Sequence, residues 1–310
     1  MNALRVASNS GISGWNLAQA TSFKRPSQKE QSPAPSGDRF EFTSASKSSK
    51  TQGHRESGSA RETRAENTAY YDASGDQKAR DKFYGDTSRF DSMSPSQLYD
   101  ELSSLVHGSH SPLDYKPSNF LYPQVDRRPD GQLYDIYSGL GPKNSDDPSN
   151  GQGILREGSY NCEHVVPQSW FNKKPAPRGD LHHLYTSLID CNSLRGNAQF
   201  NDDVDSGQMM TSCGIWDKGN NLFEPHAGKG EAARAVLYFM LRYPGEIGDR
   251  KSEYGPEDLP MLLQWHQESP PTEYEKHRNQ WIEKLQGNRN PLIDFPELAS
   301  KVDFSRGLGR

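Results

Sequence analysis

The thirteen residues Glu231 to Tyr243, EAARAVLYFMLRY, constrain the fold more than any other stretch of this chain. They are apolar on most faces and are closed by Pro244-Gly245. A helix apolar all round is stable only when other elements surround it, so the sequence predicts a central buried helix here. Candidates to cover it are amphipathic. Ser94-Pro95-Ser96-Gln97 reads as a capping box opening a helix whose apolar face is Leu98, Leu102, Leu105 and Val106. Two more helices are predicted at about Leu259–Gln267 and Thr272–Gln286, the second carrying Tyr274, Trp281, Ile282 and Leu285 on one side and stopping at Gly287. Leu133–Tyr137 reads as a short strand, and Ser111–Asp130 and Asn144–Gly153 as loops. The expected class is α+β, mostly helical with a little strand.

The apolar content is unevenly placed along the 310 residues. Residues 1–75 are dominated by Ser, Lys, Arg, Glu, Gln and Gly, and too few apolar groups cluster there to offset the ordering entropy. This stretch is expected to be a disordered polar tail, and residues 76–310 a single folded domain. No apolar run approaches the roughly 18 residues that span a bilayer, and the first thirty residues lack the apolar core of a secretory signal. The net charge is −5; residues 1–75 hold 10 of the 36 basic and 7 of the 41 acidic residues, so the remainder carries −8. That balance argues against a broad basic footprint for nucleic acid.

Chemistry gathers within about forty residues. Asn161-Cys162-Glu163-His164, Asp180-Leu181-His182-His183 and Asn192 to Asn197 bring together carboxylate, imidazole, amide and guanidinium groups. A Ser or Cys nucleophile has no GxSxG elbow to support it, and nothing local marks Cys162 or Cys191 as activated. Zinc held by Cys162, His164, His182, His183 and Cys191 has suitable ligand types but the wrong spacing, and would leave Glu163 and Asn192 without a task. A hard divalent cation on the oxygens of Glu163 and Asn192 uses nearly the whole cluster. Neutral His164 would take a proton from a water attacking phosphorus. Arg195 would either contact the phosphate or hold a carboxylate in place.

The blocks YNCEHVVPQSWF, DLHHLYTS, NSLRGN, GEAARAVLYFMLRY, LLQWH and QGNRNPLIDFPEL, in that order, resemble the bacterial endonuclease I family. Its members are periplasmic and extracellular DNases of the ββα-metal, or His-Me finger, group. The resemblance runs from about Ser94 to Pro296. It implies a ββα finger embedded in a larger, mostly helical domain, with His164 as general base, Glu163 and Asn192 as metal ligands, and Mg2+ or another hard ion such as Ca2+ or Mn2+ as cofactor. It also implies sequence-nonspecific hydrolysis of DNA, often of RNA too, leaving a 5′-phosphate. The chain departs from the family at Thr186, where Pro is common, and at Phe295, where His is common. It also lacks the several disulfides and the signal peptide that exported members often carry.

Beside this reading stand plainer ones. His182 and His183 divide between a core hydrogen bond and a place in the substrate cleft, and Arg178 and Asn197 are further candidates for substrate contact. Lys173, Lys174 and Arg178 are either a solvated loop or a local positive patch that steers DNA to a negative protein. Cys162 and Cys191 flank the expected ligands, as a disulfide or, by default, as two buried thiols. One geometric problem arises in advance: strand neighbours point to opposite faces, so Glu163 and His164 serve one phosphate only if the backbone departs from regular geometry there. The rival to a secreted or exported monomeric nuclease is a binding or effector module on the same scaffold, or a ribonuclease. A cytoplasmic location and an inhibitor or immunity partner stay open.

Overall fold

In the computed structural model, residues 70–108, 110–141, 159–202, 204 and 209–309 are described. Most of the expected tail and the whole Asn144–Gly153 segment lie outside them. The described chain opens with α1 (Ala73–Tyr84) and α2 (Pro95–Gly108), followed by one short turn of helix, α3 (Pro117–Phe120). A two-stranded antiparallel hairpin, β1 (Tyr160–His164) with β2 (Leu184–Leu188), encloses α4 (Pro175–Gly179) and runs directly into α5 (Ile189–Arg195). A second sheet has the order β3 (Gln199–Phe200), β6 (Leu222–Pro225), β5 (Gly214–Asp217), β4 (Met209–Met210), with β3 parallel to β6 and the other pairs antiparallel. Helices α6 (Lys229–Arg242), α7 (Leu259–Glu268), α8 (Glu273–Gln286) and α9 (Pro291–Asp294) complete the shell.

Helix α6 is the predicted central element. Every residue from Ala232 to Leu241 is buried, including Arg234. A buried guanidinium needs a partner, and Glu275 of α8 supplies one through two bonds of 2.5 and 2.8 Å. Helix α2 packs on the same core and anchors by polar contacts as well: Tyr99 Oη donates to the Met240 carbonyl and Ser103 Oγ to that of Leu241, each at 2.8 Å.

The local signals at helix ends hold. Ser94 Oγ accepts from Gln97 N at 3.3 Å while Gln97 Oε1 accepts from Ser94 N at 2.9 Å. Thr272 and Glu275 form the equivalent box on α8, which ends at Gly287 with φ of 84°. Ser94→Ala is expected to destabilise the domain by about 0.5–2 kcal/mol, read as a lowered urea midpoint at unchanged slope.

Elsewhere tertiary contacts override the local reading. Leu133–Tyr137 is not a strand. The Asp135 carboxylate accepts from Leu188 N at 2.8 Å, Ser187 Oγ at 2.7 Å and Ser138 N at 2.7 Å, so a side chain replaces ladder bonds and turns the chain at Ile136–Ser138. The expected loop at 111–130 contains α3 and a following helical turn, Leu121–Val125, drawn inward by full burial of Leu121 and Val125. The described residues include several before Asp76 that are tied to the domain. Tyr70 Oη donates to the Arg127 carbonyl, Asp72 caps α1, and Asp76 meets Arg289 at 2.8 Å.

The cysteine expectation is corrected too: Cys191 is joined to Cys213, with Cα atoms 5.3 Å apart, and Cys162 is a buried free thiol. The reason is sidedness. Cys162 packs into a small core with Leu121, Val125, Leu181, Leu184 and Ile282, whereas Cys191 faces the main core around α6.

Candidate active site

Glu163 and His164 are the last two residues of β1, paired with Tyr185 and Leu184. The ladder is kept through His164 and Val165 N still donates to the His183 carbonyl at 3.0 Å. The pairing register thus runs unbroken through this dipeptide, and the two side chains meet different neighbours. Glu163 faces Tyr137 and Arg195. His164 lies among Tyr115, Phe171 and His183 at ring separations of 5.0, 6.4 and 5.5 Å.

Helix α5 clamps the other edge of β1. Asn192 Nδ2 donates to the Cys162 carbonyl at 3.2 Å and to Asn161 Oδ1 at 2.8 Å. One turn later Arg195 donates to the carbonyls of His164 and Val165, at 3.0 and 2.6 Å. Carbonyls two apart on a strand point to the same side, and residues three apart on a helix share a face. The spacing of Asn192 and Arg195 thus matches that of Cys162 and His164, which explains how seven residues of helix seat so firmly on one strand.

The electrostatics of Glu163 follow from its burial, with 2% of the residue exposed. Burial pushes its carboxyl up to about 7 against the opposing pull of Arg195 and the Tyr137 hydroxyl. Both of those donors meet Oε1, at 2.8 and 2.6 Å, and Oε2 carries no hydrogen bond from the described residues. The Asn192 amide is oriented by its two carbonyl-type acceptors, and among the described residues its Oδ1 receives no hydrogen bond. Among the described residues neither Glu163 Oε2 nor Asn192 Oδ1 receives a hydrogen bond, and oxygen donors of these types suit a hard divalent cation whose remaining ligands are water. The zinc alternative does not fit: Cys191 is in a disulfide, and among the described residues no three His, Cys, Asp or Glu groups converge as metal ligands.

His164 is nearly enclosed. Burial, reinforced by His183, holds its imidazole well below the ordinary 6.5, so it is neutral at neutral pH. Nε2 lies 3.0 Å from the Arg178 carbonyl, which accepts only, so Nε2 carries the hydrogen and Nδ1 keeps its lone pair.

A β-hairpin that delivers an acid and a neutral imidazole side by side, locked by the helix that follows it, is matched by sequence. The family described as Endonuclease I matches residues 94–297. The chain belongs to the endonuclease I family. It is 33% identical over 158 residues to an extracellular ribonuclease of Bacillus subtilis (strain 168), covering 47% of this chain and 54% of that protein. It is also 29% identical over 168 residues to an extracellular deoxyribonuclease of Aeromonas hydrophila, covering 46% and 69% respectively. A periplasmic deoxyribonuclease of Aeromonas hydrophila is 29% identical over 156 residues, covering 43% and 62%. The chain spans about half the length of the ribonuclease relative it matches.

Not every residue singled out from the sequence of this endonuclease I chain lies where substrate can reach it. Arg195 is 1% exposed, and of its two expected roles the structure gives it the second, holding a carboxylate in place. His182 and His183 are both buried: His182 lies against the Tyr238 ring with Nε2 3.3 Å from the Asn288 carbonyl, and His183 Nε2 is 2.5 Å from that of Pro177. Neither lines a cleft, because the Asp180 carboxylate beside them draws this turn inward through Tyr238, Tyr243 and Gln286. Asn197 is exposed, past the end of α5, and its carbonyl accepts from Asn221. Lys174 is tied to Glu246 at 2.6 Å, so the basic stretch offers less free charge than its composition suggests.

Arg178 does lie beside the imidazole, half-buried, its guanidinium 4.6 Å over the Tyr115 ring. Three contributors had no assigned role in the sequence reading. Gln168 sits inside the quoted YNCEHVVPQSWF block and its position there was the available signal. Tyr137 and Tyr115 come from segments read as strand and loop, and nothing local marks either.

Proposed function

We propose that this chain is a metal-dependent, sequence-nonspecific endonuclease that hydrolyses phosphodiester bonds of DNA through a ββα-metal finger formed by β1, β2 and α5. One observation carries the reading: a neutral, tautomer-fixed imidazole and a buried carboxylate stand in sequence on one strand, and the following helix seats the Asn192 amide against Asn161 and Cys162 of the same strand.

In the reaction, His164 Nδ1 accepts a proton from the attacking water, while the Arg178 carbonyl keeps the ring in that tautomer. Glu163 and Asn192 would hold Mg2+, or a comparable ion such as Ca2+ or Mn2+, which when bound stabilises the charge that develops on the phosphate. Arg195 keeps the Glu163 carboxylate aligned through Oε1, leaving Oε2 available. Arg178, which shares Gln168 with the imidazole, is assigned to the phosphate. Each of these groups addresses the phosphodiester rather than a base edge, which supports nonspecific cleavage.

RNA is the second substrate reading, favoured by the ribonuclease name of the Bacillus relative. The extracellular and periplasmic names of the relatives support export of this chain. Among the described residues no helix is long and apolar enough to cross a membrane.

The test is cleavage of supercoiled plasmid and of a structured RNA by purified protein with Mg2+ and with excess EDTA. Nicking that requires Mg2+ is expected, with activity falling to background in EDTA and returning on adding back Mg2+. Intact plasmid and RNA across Mg2+, Mn2+ and Ca2+, from protein with a cooperative melt, would leave a binding module as the better account.

A further inference from the structure

We propose that Gln168 caps the lone pair through which His164 takes its proton, and that a substrate phosphate removes the cap by engaging Arg178. This rests on the nuclease reading and adds a positioning residue to it.

Three residues close a ring of hydrogen bonds. Arg178 Nε donates to Gln168 Oε1 at 2.9 Å. Gln168 Nε2 lies 3.3 Å from His164 Nδ1. His164 Nε2 in turn donates to the carbonyl of Arg178 at 3.0 Å. Directions are set by chemistry: a guanidinium only donates, so the amide oxygen must face Arg178, and the amide nitrogen is left to donate to Nδ1. The ring therefore has one consistent arrangement, in which Nδ1 is the accepting atom and is already occupied.

An attacking water must hydrogen-bond to the same lone pair, so Gln168 has to leave before proton transfer. What holds Gln168 is its bond from Arg178, and that bond is replaceable. The Arg178 guanidinium forms no ion pair with a carboxylate among the described residues and is half-buried against Tyr115. A phosphodiester oxygen is a charged acceptor and outcompetes a neutral amide oxygen for it. Once Arg178 turns to phosphate, Gln168 keeps only its single neutral bond to Nδ1, which water can replace. Base exposure is thereby coupled to the presence of a phosphate.

Kinetics on a fluorescent DNA duplex separate this from a structural role. Without the cap, binding no longer has to break it, so Gln168→Ala and the length-preserving Gln168→Met are expected to lower KM by about 2- to 10-fold, the worth of one neutral hydrogen bond, with kcat unchanged. A drop in kcat of about tenfold or more at unchanged KM would overturn the proposal, because Gln168 would then act in the transition state. Unchanged kinetics with a lowered melting temperature would overturn it as well.

Nitrogen-15 spectra of the His164 ring in full-length, metal-free protein give a second readout that needs no turnover. The free wild type is expected to show the Nε2–H tautomer, and a phosphorothioate duplex added in EDTA is expected to shift Nδ1 towards its position in free Gln168→Met. An Nδ1–H tautomer, or an Nδ1 signal that the duplex leaves unmoved, would overturn the cap. If wild type cleaves nothing, the nuclease reading falls, and the spectra still decide the hydrogen-bond ring.

Discussion

His164→Ala is expected to lower the rate of Mg2+-dependent plasmid nicking by about 100- to 10,000-fold, the range that a positioned general base contributes. The substitution removes the imidazole whose tautomer is fixed by the Arg178 carbonyl with Nδ1 towards Gln168. His182 and His183 pack against Tyr238 and Phe239 of α6, and among the described residues neither is hydrogen-bonded to Gln168 or Arg178. A folded but inactive protein is the informative result, so a melt and a near-UV spectrum accompany the assay. Because burial holds the His164 imidazole below 6.5, its basic form persists as pH falls past that value. The His164 contribution to the acid limb of the wild-type rate profile is expected below pH 6.5 for the same reason. Activity of His164→Ala within a few-fold of wild type would remove this residue from the chemistry.

Arg195→Met is expected to destabilise the domain by about 3–5 kcal/mol, the usual penalty for leaving one partner of a buried ion pair behind. The guanidinium meets Glu163 at 2.8 Å and carries the carbonyls of His164 and Val165, with Phe200 4.7 Å beneath it. Its loss strands a carboxylate that burial already pushes up to about 7, and leaves two carbonyls without their donor. The double variant Arg195→Met with Glu163→Gln is expected to recover a sizeable part of the loss, because no buried charge then lacks a partner. Urea unfolding of the wild type, both single variants and the double variant gives the coupling directly. A loss below about 1 kcal/mol for Arg195→Met, the range of exposed pairs, would mean that Arg195 is not the support described above.

Helices α2, α6, α7 and α8 were legible to within a few residues, because their signals lie in neighbouring positions: the box at Ser94 and Gln97, the apolar run at 231–243, the stop at Gly287. The motif around Glu163 and His164 was legible as chemistry for the same reason, and the family match over residues 94–297 agrees with the resemblance. What failed depended on partners far along the chain. Leu133–Tyr137 has the pattern of a strand, but the Asp135 carboxylate takes the backbone N–H of Leu188 and the hydroxyl of Ser187, about fifty positions away. The partner of Cys191 was misjudged because Cys162 and Cys191 adjoin the two expected ligands yet face different cores.

The sequence by itself determined the family and the helical shell, since composition, period and motif are properties of neighbouring residues. Only the tertiary structure decided what each polar group touches: it tied Arg195 to Glu163, His182 and His183 to backbone carbonyls, and Gln168 to Arg178 and His164 Nδ1. Burial and hydrogen-bond direction depend on what packs from elsewhere in the chain, and no local pattern encodes them.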